Sequence, residues 1–145
     1  MGHIAEELAS AIKTAGARAR ISPNRDSSTL LSELRARFGA ADQSGELWER
    51  LSSSFGYRDD DAWRLASDFT SGQRCLLLVP PRFESTVFEF DDGVELTRVL
   101  EQCSGFEFYV TDDGLSYVLC ANHHDYLIAA GSAKIWLEGL VPSRS

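Results

Sequence analysis

The chain has 145 residues, 22 acidic against 14 basic, for a formal charge of −8. With 43% hydrophobic and 25% charged residues, it has the composition of a soluble globular protein, which excludes global disorder. It is read as a single domain, 1–145, long enough to bury roughly two thirds of its unfolded surface without a metal or disulfide.

The charge is uneven along the chain. Residues 1–74 hold 11 acidic and 10 basic side chains, and residues 75–145 hold 11 and 4, giving −1 and −7. An acidic face repels phosphate backbones and anionic lipid and attracts basic partners, so a basic protein partner is expected, with no nucleic acid and no membrane. The longest clean apolar run, Leu76 to Pro81, is strand length and far short of a bilayer span. The opening MGHIAEELASAIKTAG lacks the basic start of a signal peptide, and Glu6 stands where a myristoylation signal has Ser or Thr. Cys75, Cys103 and Cys120 are odd in number and far apart, which fits reduced thiols in a cytoplasmic protein.

Taken in chain order, Ile4, Leu8, Ile12 and Ala15 recur at helical spacing, and Gly16 ends the pattern. A polar, flexible stretch, SPNRDSS, leads to a second helix with Leu30, Leu31, Leu34 and Phe38, closed by Gly39 as a C′ residue. Leu47, Trp48, Leu51 and Phe55 predict a third short helix, and Trp63, Ala66 and Phe69 a fourth. Asp59, Asp60 and Asp61, at the start of the fourth, read as an N-cap with first-turn acids at the positive end of the helix dipole.

From Cys75 the period changes. CLLLVP reads as a buried strand and TVFEF as a strand that sets Phe88 and Phe90 against Val87 and Glu89. Asp92 and Glu95 resemble a capping box opening a helix, 93–103, with Leu96, Val99, Leu100 and Cys103 inward. FEFYVTD alternates like a half-buried strand, and Asp113-Gly114 signals a tight hairpin into SYVLCA. YLIAA forms a last strand, and Ser132 is expected to cap a helix bearing Ile135, Trp136 and Leu140 before a loose tail, 141–145. The expected class is α+β: a mainly helical part, 1–74, packed on a mostly antiparallel sheet of about five strands in 75–140, with a C-terminal helix.

Two aspartate pairs, Asp91-Asp92 and Asp112-Asp113, draw attention next. If the strands at 86–90 and 106–111 belong to one right-handed βαβ unit, they run parallel and both pairs sit at the same sheet end. Four carboxylates there can hold a divalent cation through oxygen ligands or form the hot spot of a binding face, although turn and capping roles explain each pair locally. The outward residues Glu89, Glu107, Tyr109 and Thr111 extend this surface, with Tyr109 as aromatic anchor.

LCANHHDYL, 119–127, reads as a strand ending in a polar turn, Asn122 to Asp125. Along an extended chain His123 and His124 face opposite ways, so they meet only if the backbone turns there. His124 is kept as a rim contact for the partner. No GxSxG elbow, Walker A loop, strand-linked GxGxxG or paired CxxC occurs, so neither a catalytic residue nor a metal or other cofactor is expected.

FYVTDDGLSYVLCA, YLIAA and GSAKIWLEGL, within residues 86–140, resemble the C-terminal part of small bacterial immunity proteins of polymorphic-toxin systems, the SUKH-type group among them. The Leu-Pro segment and Asn-Gly-Gly-like turn usual in that group are absent. The resemblance implies a non-enzymatic α+β module that binds and blocks a toxin domain. With the acidic second half, it points to a partner surface of Glu89, Asp91, Asp92, Glu107, Tyr109, Asp112, Asp113 and His124. The alternatives are a small hydrolase or metal-binding enzyme using His123 or His124 with Asp125, and a structural or regulatory subunit.

Overall fold

A computed structural model describes residues 2–39 and 45–141; the expected tail lies outside them apart from Val141. The fold is α+β, as the sequence leads one to expect, but its sheet has seven strands rather than five. In chain order these are β1 (Ala19–Asp26), β2 (Phe55–Arg58), β3 (Cys75–Leu78), β4 (Thr86–Phe90), β5 (Phe108–Thr111), β6 (Tyr117–Ala121) and β7 (Tyr126–Gly131). They lie side by side as β1-β4-β3-β5-β6-β7-β2, and every neighbouring pair is antiparallel.

Both edge strands come from the first half of the chain, so that half is not a separate helical layer. β1 contains most of the segment read as a flexible linker. Of its eight residues only Ser22 is buried, so no apolar alternation marks it. Pro23 falls where the β1–β4 register shifts, between Ile21 and Asp26, a position an edge strand tolerates. The third expected helix reduces to a single 3-10 turn, Leu47–Glu49, and Phe55 opens β2 instead.

Five helices are present among the described residues: α1 (His3–Ala15), α2 (Ser27–Phe38), α3 (Leu65–Thr70), α4 (Leu96–Leu100) and α5 (Ser132–Leu140). They cover both faces of the sheet. α1, α3, α4 and α5 close over Phe88, Phe90, Val110, Leu119 and Leu127. On the other face, Leu30 and Leu34 of α2, joined by Leu47, pack on Leu76, Val87, Tyr109 and Val118. The central strands β3, β5 and β6 are therefore buried residue after residue, and FEFYVTD is not half solvated.

The helix ends differ in detail from the sequence reading. Gly16 ends α1 in the left-handed region (φ 66°), but Gly39 closes α2 in extended conformation (φ −77°). Asp26 caps α2 by accepting from the Thr29 N–H at 2.9 Å. Before α3, Asp61 makes no capping bond and pairs instead with Arg64 at 3.3 Å, while Asp59 accepts from the Asp61 N–H at 2.9 Å. Asp92 caps the 3-10 turn that leads into α4 by accepting from the Val94 N–H; Glu95 instead pairs with Arg98 and accepts from the Arg18 N–H. Ser132 lies inside α5, whose N-cap is Gly131.

The N-terminus of α1 has no side-chain cap of its own. Its partner is remote: Glu84, 5% exposed, accepts from the Ala5 N–H at 3.1 Å and the Thr86 N–H at 3.0 Å. Burial pushes this carboxyl up, but bonds from Thr86 and from the Ala5 and Ser85 backbone outweigh that and hold it below its ordinary value. A lowered folded-state value means that the stabilisation is present above the unfolded pKa of about 4.3 and is lost as pH falls through the folded value. Glu84→Gln is expected to cost about 1–2 kcal/mol at pH 7. In urea melts, the gap to wild type should close below about pH 4.

Candidate functional site

β4 and β5 each run antiparallel to β3, so they are parallel to one another with β3 inserted between them. Both aspartate pairs therefore leave the sheet at the same end. They do not form an open acidic surface, because arginines from the first half of the chain arrive at that end with them. Arg20 of β1 pairs with Asp91 at 2.8 Å and Glu89 at 3.5 Å. Arg74, just before β3, pairs with Asp113 at 2.8 Å and Glu89 at 3.3 Å, and Arg25 lies 3.4 Å from Asp113. The Arg74 hydrogen bond is the main cause holding the Asp113 carboxyl below its usual range.

The other two carboxylates serve the backbone. Asp92 accepts from the Val94 and Gly72 N–H groups, which hold it below the ordinary value. Asp112 accepts from the Ser116 N–H at 2.8 Å and from the Ser116 hydroxyl. It thereby organises a five-residue turn in which Leu115, not Gly114, has positive φ (54°). The charge asymmetry along the sequence is thus largely cancelled at this end of the fold, because β1 and the approach to β3 bring cations from 1–74 onto acids from 75–145.

Tyr109 is not an exposed anchor. It is 0% exposed, on the face of β5 covered by α2 and Leu47. Its hydroxyl makes no hydrogen bond, and burial, the largest influence on it, pushes its pKa far up. Thr111 is buried too, donating to the Tyr117 carbonyl at 2.6 Å.

The histidine turn is where unspent groups collect. Asn122 shapes it, its side-chain oxygen accepting from the His124 N–H at 2.9 Å and the Tyr126 N–H at 3.1 Å. Asp125 closes the turn at φ 66°, a conformation Asp tolerates. Because the chain turns here, the two histidine rings do come together, with centroids 3.9 Å apart. Trp48 stands edge-on to both, at 6.3 and 6.0 Å. The partner of His123 is Glu107 rather than Asp125: one carboxylate oxygen meets the ring Nδ1 and also accepts from the His123 N–H at 3.2 Å.

Glu107 is expected on the outside from its alternation, yet its residue is only 8% exposed. Its second oxygen, Oε1, is buried without a hydrogen-bond partner, as is Nδ2 of Asn122. Both residues line a cleft of about 610 Å³ between the histidine turn, the α4–β5 connection and the approach to α3. Asp60, Glu101 and Asp125 also line it, with Trp63 and Phe106 as aromatic walls.

The one arginine in this lining is already spent. Arg64 pairs with Glu101 at 2.6 Å and Asp61 at 3.3 Å, and its guanidinium lies 4.6 Å from the Trp63 ring centroid. Asp60 and Asp125 are exposed and have no ion-pair partner among the described residues. Cys103 and Ser104 reach the same cleft. Burial pushes the Cys103 thiol up to about 11, however, and Ser104 donates its hydroxyl to Glu7 at 3.0 Å. A histidine held by a carboxylate can act as a general base, but neither neighbour is an activated nucleophile.

In the sequence Asp60 reads as a helix-start acid, Trp63 as a helix residue and Asn122 as part of a polar turn, so no local pattern marks them as a site. The pairing of His123 with Glu107 is 16 residues long-range, and no local pattern encodes it. No group of three or more His, Cys, Asp or Glu able to hold a metal ion occurs among the described residues. Nor does any described helix have the length and apolarity to cross a membrane. In comparisons with known proteins, no family model matches this chain, and no curated protein or solved structure matches it either.

Proposed function

We propose that this protein is a non-enzymatic binding module of the immunity or antitoxin kind, which takes a basic surface of a toxin domain into the cleft beside the histidine turn. The observation that carries this reading is that Asp60 and Asp125 are exposed, have no ion-pair partner among the described residues, and line one cleft together with Glu101. Such an arrangement attracts cationic groups and repels phosphate, so the partner is a basic protein rather than nucleic acid. The resemblance of residues 86–140 to immunity proteins of polymorphic-toxin systems supplies the kind of partner. The protein then acts in the cytoplasm, where Cys75, Cys103 and Cys120 stay reduced.

Of the acidic residues first considered, Glu107 belongs to this surface and His124 flanks it on the far side of the turn. Glu89, Asp91, Asp92, Asp112 and Asp113 stabilise the opposite part of the fold. The test uses three baits in the native host: wild type, Asp60→Lys with Asp125→Asn, and Asp91→Lys with Asp113→Lys. Asparagine is chosen at 125 because the turn needs positive φ there. A basic protein recovered by the first and third baits, and lost from the second, is the expected result; equal recovery by all three would remove the cleft from the interface.

A further inference from the structure

We infer that the open edge of β2 is a self-association surface, on which a second copy of this chain adds its own β2 antiparallel and seats its Arg58 beside Gly56. The inference concerns a different surface from the cleft and stands or falls independently of it.

The pairing of β2 with β7 fixes which main-chain groups face outward. Asp59 donates its N–H to the Asp125 carbonyl at 3.0 Å, and the same register pairs Tyr57 with Leu127 and Phe55 with Ala129. These alternate residues exchange hydrogen bonds with β7, so the N–H and C=O groups of Gly56 and Arg58 point away from the sheet. No other hydrogen bond to these groups occurs among the described residues. An open edge of this kind is a template for another strand. The opposite edge of the sheet is blunted: Pro23 removes a donor from β1, and the β1–β4 register shifts between Ile21 and Asp26. β2 has neither device.

The side chains identify the occupant. Arg58 is exposed and has no ion-pair partner among the described residues. A charge on an edge ordinarily discourages an incoming strand, but a second copy gives this one a seat. In the antiparallel register whose twofold axis passes through Tyr57, Gly56 lies opposite Arg58 of the second copy, and both outward residues of each strand are bonded. A register centred on Arg58 would instead oppose like charges. On the face of Gly56 lies a groove of about 300 Å³ whose lining includes Trp48, Glu49, Tyr126 and Ile128. Tyr126 is 39% exposed, and a Cβ at position 56 would stand 3.3 Å from its Cδ1. The missing side chain leaves that ring open to the guanidinium of the second copy, with the Glu49 carboxylate in the same groove. Each copy supplies both the cation and the groove, so the surface is complementary to itself.

Sedimentation equilibrium of the wild-type protein from about 1 μM to about 1 mM tests this. So short an interface predicts a reversible dimer with a Kd on the order of 10–100 μM. Arg58→Glu sets like charge against Glu49, and Gly56→Pro deletes an outward-facing donor; each should weaken the dimer at least about tenfold. Ile21→Glu on the β1 edge should leave it unchanged. Air oxidation in a Cys103→Ser background reads the register. Tyr57→Cys should cross-link, because residues facing each other in a non-hydrogen-bonded pair have Cα atoms about 4.5 Å apart, whereas Arg58→Cys should not.

A wild type that stays monomeric to about 1 mM would overturn the inference, and this measurement needs no variant to fold. So would a dimer indifferent to Arg58→Glu and Gly56→Pro, one abolished by Ile21→Glu, or cross-linking through Arg58→Cys and not Tyr57→Cys. A monomer whose Gly56 and Arg58 amides gain hydrogen-exchange protection only with another protein bound would assign this edge to that protein's strand and overturn it as well.

Discussion

Tyr109→Ala is expected to lower stability by about 3–5 kcal/mol, whereas Tyr109→Phe should change it by less than about 1 kcal/mol. Tyr109 lies at 0% exposure in β5, packed with Leu30, Leu34, Leu47 and Val118, and truncation would leave a large cavity in a face closed by α2. The hydroxyl has no hydrogen bond to lose, so removing it strands no partner. Urea denaturation of the two variants checks this. A small loss for alanine would mean that the α2 face is open and that Tyr109 is available at the surface after all.

A second large effect is expected at Gly131, the joint between β7 and α5. Its backbone (φ 71°, ψ −145°) lies in a region essentially closed to residues with a Cβ. A Cβ there would also overlap the carbonyl oxygen of Ser116, which accepts the Ser132 N–H at 3.1 Å. Strain and overlap together should make Gly131→Ala lose about 3 kcal/mol or more. Gly139 in the same helix is the internal control. Nothing stands within 4 Å of a Cβ there, so Gly139→Ala should be neutral or stabilise by up to about 1 kcal/mol. Thermal unfolding of the two variants distinguishes the sites, and similar melting temperatures would contradict the assigned role of Gly131.

Elements with continuous or strictly periodic apolar residues were legible in the sequence. α1, α2, β3, β4, β6, β7 and α5 each carry enough inward side chains to mark their period. β1 and β2 did not, for different reasons. β1 buries a single serine because it pairs along one edge only and its outer face is wet. In β2, Phe55 continues the helical spacing of Leu47, Trp48 and Leu51, although Phe55 and Tyr57 alternate inward as a strand. Missing these edges hid their consequence: β1 brings Arg20 and Arg25 to the acidic strand ends.

The site was legible only in its local half. The polar turn at Asn122–Asp125 and the common end of the two aspartate pairs follow from turn chemistry and strand direction. What turned the outward-reading Glu107 inward was the covering of the second sheet face, to which α2 and Leu47 both contribute. Alternation alone cannot say whether the second face is dry. The closeness of His123 and His124 likewise depends on the positive φ of Asp125, which a strictly extended reading does not contain.

We propose the cleft, and not the strand ends, as the working acidic surface. Its most direct test is the association rate of the recovered basic partner with the same two variant pairs, measured across a range of salt concentrations. Asp60→Lys with Asp125→Asn should slow association by about tenfold or more at low salt and flatten its salt dependence. Asp91→Lys with Asp113→Lys should leave the rate near wild type. An unchanged rate for the cleft variant, with slowing confined to the strand-end variant, would contradict the claim.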